Sequence, residues 1–176
     1  MGKILIVVLL ITIVSLFVMS KIDPNIANNV SAASQLSDAN YYTITISGAV
    51  TKPGAYVLQK GSTMDDLIVA AGGPTANTDE KTYFLDTKLI GGMTYFIGSL
   101  YDDNDVCNDS PIVKVNINSD KSDALQTING IGSTISQAII RHREDKGIFT
   151  YLEDIMNVSG VGTSTYTKIR NYIVLQ

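Results

Sequence analysis

The 176-residue sequence predicts an α+β protein: an apolar N-terminal segment, a small domain of strands around one helix, and an all-α pair of helical hairpins. Three observations carry that prediction. An uncharged run opens the chain, strand-like alternation surrounds a capped helix between residues 41 and 98, and a glycine-centred pattern recurs thirty residues apart near the C-terminus.

After Met1-Gly2-Lys3, the run from Ile4 to Met19 carries no charge and only Thr12 and Ser15 as polar residues, which suits a signal-peptide core or a short transmembrane anchor. Val18-Met19-Ser20 could be cleaved, but Lys21 follows at once where small residues usually cluster. An uncleaved anchor over 1–21 is therefore favoured. Lys3 and Lys21 nearly cancel as an orientation signal, and the short head favours an N-terminus inside. The expectation is a single-pass protein of the cell membrane whose remaining domains lie on the extracytoplasmic side.

With one cysteine, Cys107, no intramolecular disulfide is possible, and the exported domains must hold together by packing. One histidine, His142, and one cysteine cannot assemble a zinc or iron–sulfur site, so no metal and no cofactor are expected. The acids around Cys107 would raise its pKa and weaken it as a nucleophile. Charge divides the chain: residues 21–111 hold five lysines against eleven acids, net −6, whereas 112–176 hold seven basic residues against six acids, net +1. An anionic partner is better received by the second of these stretches.

Residues 22–40 are rich in Asn, Ala and Ser without hydrophobic period and read as a flexible stalk. Tyr41 to Ile46 alternates β-formers, and Gly48 to Tyr56 places turn residues before a second such run, a hairpin signal. Gly61-Ser62-Thr63-Met64-Asp65-Asp66 opens a helix with a hydroxyl cap and first-turn acids; Gly72-Gly73-Pro74 stops it. A strand over Thr82–Leu85 and a closing strand in Leu89–Ile97 complete a β-grasp-like order over 41–98. Gly48, Val50, Pro53-Gly54, Tyr56, Gly61-Ser62-Thr63, Asp66, Ile68, Ala71-Gly72-Gly73, Leu89, Gly92 and Tyr95 resemble the soluble-ligand-binding β-grasp family. These are turn and core positions, and they speak for the fold more than for a ligand.

Residues 99–114 carry Asp102, Asp103, Asp105 and Asp109 with little hydrophobicity and read as an acidic linker. A helix-loop-helix calcium loop would need a central Gly and a closing Glu, and neither is present.

Within 115–176, a shift of thirty residues aligns Leu125 with Ile155, Ile128 with Val158, Gly130-Ile131-Gly132 with Gly160-Val161-Gly162, and Ile139 with Ile169. Each copy reads as helix, tight turn, helix. In the first, Ser119 or Ser122 caps a short helix, and Ser133 starts a second with Ile135, Ala138 and Ile139 inward. In the second, Thr150 and Glu153 suggest a capping box, and Thr163 or Ser164 a cap for the last helix, with Tyr166, Ile169 and Ile173 inward. Gly costs a helix interior roughly 1 kcal/mol relative to Ala, so two such interruptions in register ask for a reason. Glycines there let backbone N–H groups face outward at a helix N-terminus, a setting that favours an anion such as phosphate. Two copies suit two anions at fixed separation, as on the strands of a duplex.

The stretch from Val115 to Ile173 resembles the tandem helix-hairpin-helix domain of the ComEA family of bacterial competence proteins. The matching residues include Asn116-Ile117-Asn118, Gly130-Ile131-Gly132, Arg143-Glu144, Gly147, Phe149, Gly160-Val161-Gly162, Lys168-Ile169-Arg170 and Tyr172-Ile173. The resemblance implies a membrane-tethered receptor that binds double-stranded DNA non-specifically outside the cell and passes it to an uptake channel and its pilus machinery during natural transformation. It also implies self-association through the β-grasp module. The residues expected at DNA are Gly130, Ile131, Gly132, Ser133, Thr134, Gly160, Val161, Gly162, Thr163, Ser164, Lys168, Arg170 and Arg143. Two departures stand out: Asn129 and Ser159 replace a frequent Pro before the first Gly, and Ile135 stands where Lys is frequent. The first hairpin is thereby the less cationic by sequence.

Enzymes that carry such hairpins need a catalytic pocket beside them, and about sixty residues leave no room for one. Asp65-Asp66 and Glu153-Asp154 read as first-turn acids and not as a general acid/base pair. No enzymatic activity is expected. The competing expectation is a cell-envelope adaptor whose β-grasp domain binds a glycan or a protein.

Overall fold

The computed structural model describes residues 40–102 and 110–176, and residues 40–176 form one compact unit. The predicted anchor over 1–21, all but the last residue of the stalk, and Cys107 lie outside the described residues. Among the described residues no helix is long and apolar enough to cross a membrane.

Strand β1 (Tyr41–Gly48) alternates in sequence and in burial, with Ile44 and Ile46 turned into the core. It pairs antiparallel with β2 (Gly54–Gln59), in register from Tyr41 opposite Gln59 to Ile46 opposite Gly54. Helix α1 (Met64–Ala70) follows. Its start is a full capping box: the Thr63 N–H donates to the Asp66 carboxylate at 2.8 Å, and the Asp66 N–H donates to the Thr63 hydroxyl. Gly72 and Gly73, at φ of 81° and 88°, end the helix in a conformation that a Cβ disfavours. The chain then returns to β3 (Thr94–Ile97), parallel to β1 on its far side, giving the sheet order β2-β1-β3. A hairpin, a crossover helix and a parallel third strand make the β-grasp order the sequence predicts. The expected strand over Thr82–Leu85 is absent: Glu80–Thr82 is a 3-10 turn capped by Asp79, and Tyr83 alone bridges, to Tyr151.

The C-terminal region begins with β4 (Val115–Asn116), followed by helices α2 (Ser122–Leu125) and α3 (Ser133–Lys146). A 3-10 segment over Leu152–Asn157, helix α4 (Thr163–Ile169) and a 3-10 turn over Arg170–Tyr172 come next. The last element is β5 (Ile173–Val174), which pairs parallel with β4, so this region is not wholly helical. Its core joins Leu125, Ile139, Ile155 and Ile169, the repeat-related positions, with Ile117, Phe149, Leu152 and Ile173. Full burial of each such side chain contributes about 1.5–3 kcal/mol.

The β-grasp and helical regions are joined along a seam. Tyr95 and Ile97 of β3 face the β-grasp core, whereas Phe96 between them packs on the helical core. At the C-terminus the Leu175 N–H donates to the Lys81 carbonyl at 2.8 Å, and the Gln176 side-chain amide donates to the Tyr83 carbonyl at 2.6 Å. The described ends of the 99–114 segment lie on this body. The Ile112 N–H donates to the Leu100 carbonyl, and Lys114 forms a buried ion pair with Asp79 at 2.6 Å.

Candidate nucleic-acid interface

The thirty-residue repeat is a structural repeat. Positions 128–136 and 158–166 have the same sequence of buried, half-buried and exposed residues. In each hairpin the middle aliphatic residue closes the turn: the Ile131 N–H donates to the Ile128 carbonyl at 3.0 Å, and the Val161 N–H to the Val158 carbonyl at 3.0 Å. Ile131 and Val161 are themselves buried. The following helix then starts identically, with the Ser136 N–H on the Gly132 carbonyl and the Tyr166 N–H on the Gly162 carbonyl, both at 2.9 Å.

The two glycines of a turn differ in what they do. Gly130 and Gly160 have φ of 110° and 92°, a region that L side chains rarely adopt. A Cβ on Gly130 would come within 3.4 Å of Ile169, and one on Gly160 within 3.3 Å of Ile135, so each first glycine is seated on the other hairpin's second helix. That contact also gives Ile135 a packing role. Gly132 and Gly162 sit at φ of −90° and −96°, open to any residue, and a Cβ there would meet nothing within 4 Å. Among the described residues nothing requires a glycine at these two positions.

Helix capping departs from expectation here. The N-caps of α3 and α4 are Gly132 and Gly162, not a hydroxyl of Thr163 or Ser164, and no side chain caps either helix. Ser133, Thr134, Thr163 and Ser164 are exposed in the first turns, leaving backbone N–H groups uncapped at the surface. Helix α2 likewise begins after Lys121 without a side-chain cap; the Ser122 hydroxyl is paired instead with that of Ser136 at 2.9 Å. The box expected from Thr150 and Glu153 does not form: the 3-10 segment begins after Tyr151 without a side-chain cap, and the Asp154 carboxylate accepts from the Thr150 N–H and hydroxyl. Glu153 is buried. It accepts from the Phe96 N–H at 2.8 Å and from the Tyr166 hydroxyl at 2.5 Å. Burial pushes the Glu153 carboxyl above the usual carboxylate range against the opposing pull of those two donors, and burial with the neighbouring carboxylate raises Tyr166 as well.

With the geometry of the two hairpins in place, the comparisons fall on the same segments. Residues 110–174 match the helix-hairpin-helix motif and residues 43–96 match the SLBB domain. ComE operon protein 1 of Bacillus subtilis (strain 168) is 32% identical over 142 residues, which covers 76% of this chain and 69% of that protein. The chain belongs to the ComEA family. An uncharacterized protein of Haemophilus influenzae is 36% identical to this ComEA-family chain over 62 residues, 35% of the chain and 55% of that protein. The endonuclease/exonuclease/phosphatase family domain-containing protein 1 of Xenopus laevis is 21% identical over 114 residues, 64% of the chain and 20% of that protein.

In this ComEA-family chain the cations are shared crosswise. Lys168 of α4 lines a groove with Thr127 and Asn129 of the first hairpin, and Arg141 and Lys146 of α3 line another with Val158 and Ser159 of the second. Asp145 stands in the latter groove and Asp102 in the former. Arg143 points elsewhere: its guanidinium donates to the carbonyls of Ile117 at 2.9 Å and Asp120 at 2.7 Å, pinning the turn after β4 to α3. Arg170 lies with its guanidinium carbon 4.2 Å from the centre of the Phe96 ring. Arg141 is one of the cations the sequence places further from the first hairpin, with Arg143 and Lys146, whereas Phe96 does not stand out in it. A hint was present for Phe96, since Tyr95-Phe96-Ile97 leaves β3 without a polar face and so with cover on both sides.

Proposed function

We propose that the chain is a membrane-anchored, extracytoplasmic receptor that binds double-stranded DNA without regard to sequence, for uptake in natural transformation. The observation that carries this reading is the pair of bare, uncapped turns, Gly132 and Gly162, presented identically by two hairpins. Uncapped first-turn N–H groups suit phosphate oxygens, and the missing Cβ permits close approach of a nucleic-acid backbone. Lys168, Arg170 and Arg141 add charge beside them. Backbone donors distinguish no base, which accounts for binding without sequence preference. The β-grasp module serves self-association in this reading, so that many weak heads act on one duplex, and the uptake channel with its pilus machinery receives the DNA. The chain acts by binding and not by catalysis.

The test is an anisotropy titration of the full-length chain with labelled random-sequence duplex over a range of salt. Two to four phosphate contacts predict log K falling against log salt with a slope of about −2 to −4, and the same affinity for unrelated duplexes. Absence of salt-sensitive binding at high micromolar protein overturns the reading.

A further inference from the structure

We propose that Phe96, a residue of the β-grasp sheet, is a positioning residue for duplex binding, because its ring holds the Arg170 guanidinium in place beside the second hairpin. The inference rests on the duplex-binding reading above and extends it to the other module.

Phe96 sits on β3 with its backbone and its ring turned to the same neighbour. Its N–H donates to Glu153 at 2.8 Å, and Glu153 accepts in turn from Tyr166 of α4. Arg170 follows α4 directly and is the N-terminal residue of the 3-10 turn Arg170–Tyr172. The strand thus fixes the helix that carries the second turn, and the ring fixes the cation that follows that helix. A guanidinium stacked on an aromatic face keeps its five N–H donors in the plane and directed away from the ring. Arg170 is half-buried, lies over the Phe96 ring and acts electrostatically on the Tyr166 hydroxyl, and among the described residues it makes no salt bridge and no side-chain hydrogen bond. Arg143 makes a useful contrast, since its edge is spent on two carbonyls. A long cation held by its face loses little further freedom when a phosphate meets its edge. Lys168, with an exposed side chain, has no such support.

Phe96→Leu keeps an apolar side chain on the seam and removes the ring. In the full-length chain we expect it to weaken duplex binding about three- to five-fold, the range set by a cation–π contact of this exposure. Phe96→Tyr and Phe96→Trp, which keep a ring, should bind as the parent does. In an Arg170→Ala background Phe96→Leu should change affinity no further, whereas a merely structural loss would weaken that background equally. Parental affinity for Phe96→Leu, or an undiminished effect of it without Arg170, overturns the inference while leaving the duplex reading intact. A parent chain with no salt-sensitive binding overturns both.

Discussion

The two hairpins share a turn and differ in what stands behind it. Ser136 and Tyr166 occupy equivalent positions thirty residues apart, both buried and both polar. The Ser136 hydroxyl is satisfied within its own hairpin, by the Ser133 carbonyl and the Ser122 hydroxyl at 2.9 Å each. Tyr166 reaches Glu153 and through it the backbone of β3. One hairpin is self-contained; the other is fastened to the neighbouring module. A repeat can therefore keep its outer surface constant while a single buried position decides whether the unit is tied to something else.

Glu153→Ala should break this contrast most severely. It removes the acceptor of one buried and one half-buried donor, and a loss of about 2–3 kcal/mol in urea unfolding of the full-length chain is expected, against less than about 1 kcal/mol for Ser136→Ala. Equal losses would mean that the two hairpins are supported alike. Next in size is the outer surface they share. Gly132→Val and Gly162→Val enter open space at ordinary φ, so each should fold as the parent does and lose duplex affinity by about tenfold or more. Gly160→Val should instead unfold the hairpin at lower denaturant, because φ of 92° and the contact with Ile135 oppose it. Full binding by a folded Gly132→Val, Gly162→Val double variant would remove the backbone donors from the mechanism.

Lys168→Ala should lower affinity a few-fold for all duplexes and flatten the salt slope by about one unit, and Arg141→Ala should do the same from the other side of the crosswise pair. A sequence-dependent loss would contradict phosphate contact. The smallest effect concerns pH. Burial raises the Glu153 carboxyl in the folded chain, so the unfolded chain releases that proton first as pH rises past the ordinary value of 4.5. Stability due to this group is then full below that pH and declines with rising pH until the folded carboxyl has also ionised. Glu153→Gln keeps an acceptor for both donors and should abolish that decline in a series of unfolding curves from pH 4 upward.

The hairpins were legible because their signals are local. Gly130-Ile131-Gly132 and Gly160-Val161-Gly162, with apolar residues at fixed offsets, state the turn and its inward face within ten residues, and Thr63 with Asp66 states the start of α1 as plainly. Ser133 does start α3, but the cap of α4 is not Thr163 or Ser164: hydroxyl residues next to Gly162 satisfy the usual preference, while the chain places the glycine itself at the cap. Glu153 and Asp154 are adjacent acids with opposite fates, Glu153 buried against Phe96 and Asp154 accepting from Thr150, and neither caps the segment. The seam was beyond a local reading: Phe96 and Glu153 lie 57 residues apart, and β4 and β5, at two residues each, are too short to show alternation. Arg170 reads as a surface cation until the ring beneath it is known.

Strand β3 also sets how the molecule would carry force. A pull applied at the second hairpin and resisted at Tyr41 passes from Glu153 into the backbone of β3 and crosses to β1 along the register from Thr45 opposite Thr94 to Gly48 opposite Ile97. The Phe96 N–H leaves the free edge of β3, on the side away from β1, so such a pull bears across the strand and loads its ladder with β1 transversely. Among the described residues the first hairpin, with its buried hydroxyl satisfied internally, makes no hydrogen bond to that sheet.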